Sequence, residues 1–205
     1  MDIHYIIKIQ SVIRRFLVRR NNVFIPSSKY QTKQWRQNRN WYINGRKNEC
    51  EINQIKIIEK IINQKCEKTH DRINIETLQI IENKRPMMAE NGFEWTENFD
   101  GKININKNKL CYFNLKFVCD EGGAQTRTLR EVYHFIKYQL EHIKKYKTTT
   151  VYFINILDGD SSYLQINKFL YLINKKKYKD IRHFVFCGDM FLFQKWFYKF
   201  GCKVK

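Results

Sequence analysis

Asp100 is followed fourteen residues later by Asn114-Leu115-Lys116. A carboxylate, an amide oxygen and an ammonium group are the components of a divalent-metal hydrolytic site. The carboxylate holds Mg2+, while the lysine orients or deprotonates the attacking water and stabilises the charge that builds on phosphorus. The period of two along a strand sets Asp100, Lys102 and Asn104 on one face of a predicted first strand over 97–105. On a second strand, Leu110–Val118, Cys111, Phe113, Leu115 and Phe117 form a core face, and Tyr112, Asn114 and Lys116 take the opposite one. A hairpin of these two strands brings Asp100 and Lys116 together at one end. The plainer alternative is an ion pair on an edge strand.

Gly122-Gly123 and Gln125-Thr126-Arg127 open the helical pattern that follows. The two glycines are expected to make a tight turn with positive φ, directing backbone N–H groups and the Gln125 and Arg127 side chains toward a phosphate. An ordinary loop with Thr126 as N-cap is the alternative. Asp158-Gly159-Asp160 is read as a turn and cap after a buried strand. The histidines at 4, 70, 134, 142 and 183 show no metal spacing, and His134 and His142 are expected at the surface or its boundary. Six cysteines lack any CxxC pair, which argues against zinc.

The pair Phe99-Asp100 with Asn114-Leu115-Lys116 resembles the PD-(D/E)XK signature of restriction-type nucleases. GGAQTRTLREVYHFI, from Gly122 to Ile136, and YFINILDGD, from Tyr152 to Asp160, resemble segments of some type II restriction endonucleases, so the likeness spans residues 92–190. It implies a Mg2+-dependent endonuclease acting on DNA. Asp100 and Asn114 would be its metal ligands and Lys116 the catalytic base or charge stabiliser, with Gln125, Arg127 and Arg130 on the DNA backbone. Such enzymes are often homodimers. The departure is position 114, where the family's second acidic ligand is replaced by asparagine, whose oxygen carries no charge. Glu94, Glu97, Glu131 and Glu59 are candidates to compensate, Glu131 being the one assigned to the catalytic set. Otherwise the chain is a non-enzymatic DNA-binding or calmodulin-binding protein that keeps an inactive nuclease fold.

The stretch from Ile9 to Arg20, IQSVIRRFLVRR, resembles an IQ motif, with Arg15 where glycine is usual. Ile9, Gln10, Arg14 and Arg19 would engage the groove of a calmodulin-like protein. A basic helix lying on the core or along DNA phosphates is the other reading. Trp35 and Trp41, interleaved with Arg36, Arg39 and Arg46, either stack on bases or bury a linker against the core.

These residues need a scaffold, and 205 residues suffice for one. Apolar residues make up 43% of the chain, which argues against disorder. Lys and Arg number 38 against 20 Asp and Glu, a net charge of +18 that suits a polyanionic partner. Helices are predicted over 4–20, over 51–64, over Ile75–Glu82 as a short third one, over 129–143, over 162–174 and over 191–200. Strands are predicted over 97–105, 110–118, 149–157 and 182–187. Their alternation implies an α/β fold with parallel pairing. The family likeness makes it a restriction-endonuclease-like mixed sheet flanked by helices, with an N-terminal helical extension. Residues 1–42 form that extension and linker, and 43–205 form the domain. Neither a secretory signal nor a bilayer-spanning run is seen, so the cytoplasm or nucleus is the expected compartment.

Overall fold

A computed structural model describes residues 49–82, 94–106, 108–119 and 122–201. The IQ-like segment with Ile9, Gln10, Arg14 and Arg19, and the Trp35–Arg46 stretch, lie outside the described residues. Helix α1 (Glu49–Ile62) leads into a small hairpin of β1 (Asp71–Ile73) and β2 (Ile80–Glu82). Next come β3 (Gly101–Asn106), β4 (Lys109–Phe117), α2 (Gly123–Tyr146), β5 (Val151–Asp158), α3 (Asp160–Ile173), β6 (Val185–Gly188) and α4 (Met190–Gly201). The four later strands form one mixed sheet in the order β3-β4-β5-β6. β3 and β4 are an antiparallel hairpin, whereas β4, β5 and β6 run parallel with α2 and α3 as crossovers.

Both faces of this sheet are covered. Ile57, Ile58 and Ile61 lie on one side of α1 and meet Cys111, Phe113, Leu115, Ile154, Ile156 and, from α4, Phe193. On the other face Leu129, Val132, Phe135, Ile136 and Leu140 of α2, with Phe169 and Leu172 of α3, cover Tyr112, Phe153 and Leu157. β5 is central, and its near-continuous apolar run VYFINIL is what a strand buried on both faces requires. β4 is likewise buried on both faces, which corrects the expectation of a single core face. Tyr112 packs in the layer beneath α2, and Asn114 is only 1% exposed. Its alternation marks two different cores rather than a core and a surface.

Several local expectations change. The helix expected over Ile75–Glu82 is a hairpin instead. Asn74 Oδ1 accepts the N–H groups of Glu76 and Thr77, Leu78 takes φ 61°, and Ile80 pairs back onto Ile73. Asparagine bonding to its own backbone competes with a helical turn, and the β-branched Ile80-Ile81 pair favours a strand. The expected strand over 182–187 begins with a 3-10 turn at Arg182–Phe184 and pairs only from Val185. His142 is buried, its Nδ1 lying 2.7 Å from the Leu78 carbonyl, so it anchors α2 to the hairpin; His134 is exposed. Among the described residues no helix is long and apolar enough to cross a membrane.

Candidate functional site

The site is built where β3 begins and β4 ends. Phe99, fully buried, stacks on Tyr112 at 4.6 Å and packs against Phe135 and Phe153, which fixes the chain just before the strand. Asp100 follows on a bend. Its N–H donates to the Phe113 carbonyl, and its Oδ2 accepts the Leu115 N–H at 2.7 Å, so its backbone and carboxyl bracket Asn114. Lys116, two residues further along β4, donates to Glu97 Oε2 at 2.8 Å. The hairpin thus brings Asp100 and Lys116 into one partly buried cluster, as the strand periods predict, and Glu97 joins it. Glu51, in the first turn of α1, acts electrostatically on both Asp100 and Lys116.

These charges are tuned against one another. Burial pushes the Asp100 carboxyl up to about 6, with Glu51 and Glu97 acting in the same sense; the Lys116 charge and the Leu115 N–H oppose it. Burial alone would lower the Lys116 ammonium, yet Glu97 and Asp100 outweigh it and hold the group above its ordinary value. A lysine held in its charged form stabilises negative charge and does not remove a proton from water. Of the two roles considered for Lys116, the arrangement favours charge stabilisation.

Asn114 terminates a buried amide network. Its Nδ2 donates to Asn155 Oδ1 at 3.1 Å, and Asn155 exchanges hydrogen bonds with Gln139 of α2 and donates to the Phe186 carbonyl. Asn114 Oδ1 and Glu97 Oε1 are buried and find no donor among the described residues. Unsatisfied buried acceptors are costly, and oxygens of this kind suit a hard cation. Among the described residues no three His, Cys, Asp or Glu side chains converge to hold a metal unaided. Mg2+ is commonly held by one or two carboxylates together with water and a substrate phosphate, so a lone carboxylate such as Asp100 is a sufficient protein anchor for it.

Other predicted residues go elsewhere. Glu131 is exposed on α2, and the largest influences on Asp100 and Lys116 come from other groups. Glu59 accepts the Cys66 N–H and pairs with Lys65, and Glu94 accepts the Ile75 N–H through its carbonyl. Lys102 leaves the Asp100 cluster for Asp71, which also accepts the Tyr112 hydroxyl at 2.8 Å. The Gly122-Gly123 expectation is corrected. Gly122 is extended at φ 163° and is itself the N-cap of α2, while Thr126 lies inside the first turn. The turn that demands glycine is at Gly159, with φ 102° and room for a Cβ closed by the Val118 carbonyl 2.2 Å away. Gln125 is half-buried, and Arg127 and Arg130 are exposed along α2.

Glu51, Gln54, Gln139 and Asn155 are contributors missed from sequence. Gln54 Nε2 donates to Asp158 Oδ2 at 2.7 Å and to the Lys116 carbonyl at 3.3 Å, tying α1 to the ends of β4 and β5. A polar residue inside an apolar stripe is the available signal: Asn155 within YFINILD, and Gln139 between Ile136 and Leu140. The chain matches no protein-family model, and no curated protein or solved structure matches it. Side-chain geometry therefore carries the functional reading.

Proposed function

We propose that the chain is a Mg2+-dependent DNA endonuclease of restriction-endonuclease-like fold, hydrolysing phosphodiester bonds at the Asp100–Lys116 cluster. The observation that carries this reading is the meeting of the Asp100 carboxyl and the Lys116 ammonium, with Glu97, in one partly buried cluster at the end of the β3–β4 hairpin, with the buried, unpartnered Asn114 Oδ1 two residues before Lys116 on the same strand. A hairpin followed by two helix-linked parallel strands, with helices on both faces, is the scaffold that the family likeness implies. Asp100 and Asn114 would hold the ion. When bound, it supplies Lewis-acid stabilisation of the phosphoryl oxygens and lowers the pKa of a bound water. Lys116 places a fixed positive charge where negative charge develops on the scissile phosphate. Glu97 holds that ammonium in place through Oε2. The net charge of +18, with Arg127 and Arg130 exposed on α2, supports DNA as the polyanion.

Supercoiled plasmid incubated with the purified chain tests the reading. Nicking or linearisation with Mg2+ or Mn2+, abolished by EDTA and by Lys116→Ala, is the expected result. Salt-sensitive DNA binding with no cleavage under any divalent cation would reduce the chain to a binding module.

A further inference from the structure

A cleft of about 790 Å³ runs between the first half of α2 and α3. Its apolar lining is Leu129, Leu164 and Phe169, and Tyr133 and Tyr171 contribute aromatic rings. Arg130 and Lys168 line it as well, no acidic side chain does so among the described residues, and Lys175 lies 5.3 Å from the Tyr171 ring centroid. Leu164 and Tyr171 are 64% and 69% exposed, far more than apolar burial on α3 would leave if the helix were complete by itself. We propose that this cleft receives unpaired nucleotides of a nucleic-acid strand, so that the preferred substrate is a duplex adjoining a single-stranded segment. The proposal rests on the nucleic-acid part of the reading above and extends it to a surface apart from the Asp100–Lys116 cluster. An intact duplex presents phosphates and base edges, and its base faces are hidden by stacking. Only unpaired bases offer faces to aromatic rings while their phosphates meet cations on the same wall. The volume falls within the about 300–1,000 Å³ of ordinary ligand clefts, room for a short run of bases and not for a duplex. The cationic lining also disfavours the chain's own basic segments as occupants.

The test measures fluorescence anisotropy of a labelled single-stranded oligothymidylate and of a blunt duplex of equal length. Both are titrated with the full chain in EDTA, so that no cleavage intervenes. Tyr171→Ala is expected to weaken single-strand binding by roughly 5- to 100-fold, the range for losing one stacked base, and to change duplex binding by less than about twofold. Lys168→Glu should weaken single-strand binding in the same direction, and both exposed positions should leave the melting temperature unchanged. Because binding is read in EDTA, single-strand affinity that depends on Tyr171 stands or falls independently of whether the chain cleaves, which separates this result from any failure of cleavage. The proposal is overturned if the unaltered chain does not bind the oligothymidylate. It is overturned also if Tyr171→Ala binds it normally, or if single-strand and duplex binding fall together. Loss of self-association in Tyr171→Ala with DNA binding intact would assign the cleft to protein docking instead.

Discussion

Replacing Asn114 with aspartate isolates the metal-binding role of position 114. Asn114 Nδ2 donates to Asn155 Oδ1 at 3.1 Å, and Asn155 Nδ2 is already engaged by Gln139 and the Phe186 carbonyl. A carboxylate oxygen set against Asn155 Oδ1 therefore loses a hydrogen bond and gains a repulsion, within a site that is 1% exposed. Leaving a buried polar group unpaired costs about 1–3 kcal/mol, and a charged one more, so Asn114→Asp should destabilise the metal-free protein by about 3 kcal/mol. In a chain of 205 residues this lowers the melting temperature by roughly 6–12 °C. A divalent cation reverses the sign of the new charge's contribution. At about 100 times its dissociation constant, binding returns about 2.7 kcal/mol. Thermal unfolding followed by circular dichroism, in EDTA and then in saturating Mg2+, reads both steps. A variant as stable as the parent in EDTA, or a Mg2+ response equal in the two proteins, would refute a metal role for position 114.

Further outcomes follow from the same packing. Complete burial pushes the Asp158 carboxyl up to about 7 although the Met190 N–H and Gln54 favour its charged form; Asp189 adds to the rise. Its folded-state value lies above its unfolded one, so its contribution is fully present below about pH 4 and is lost as the pH rises through 7. The loss amounts to about 4 kcal/mol. Asp158→Asn, compared with the parent by urea unfolding at pH 4 and pH 8, should flatten that difference. Phe99→Ala should destabilise by about 3–5 kcal/mol, because the ring is fully buried among three aromatic neighbours, and calorimetry would register it. Gly159→Ala forces a Cβ onto the Val118 carbonyl, which accepts the Ser161 and Ser162 N–H groups. A loss of at least about 2 kcal/mol in denaturant unfolding is expected.

Much of the scaffold was legible because its signals are local. The run from Val151 to Leu157 is long, apolar and β-branched, and the stripe from Leu129 to Ile143 keeps helical spacing; both elements formed nearly where expected. The convergence of Asp100 and Lys116 needed only the period of two and a hairpin. The hairpin at 71–82 was hidden because its apolar residues imitate helical spacing, and the decisive bonds come from the Asn74 side chain. β4 was misjudged because Tyr112 and Asn114 look like a solvent face until α2 covers them. Glu51 was invisible for a different reason: it lies 49 residues before Asp100, and only the docking of α1 brings its charge to bear. Periodicity carries no information about such pairings.

The most direct test of the account compares chemistry with binding in one variant. Asp100→Asn keeps the shape of the side chain and removes the charge that would hold the cation. Its single-turnover cleavage rate in Mg2+ should fall by at least about 100-fold, while its affinity for the same duplex in Ca2+ stays within about threefold of the parent's, since phosphate contacts dominate binding. Cleavage that survives the substitution, or binding and cleavage lost in parallel, would contradict the assignment of Asp100 to the reacting centre.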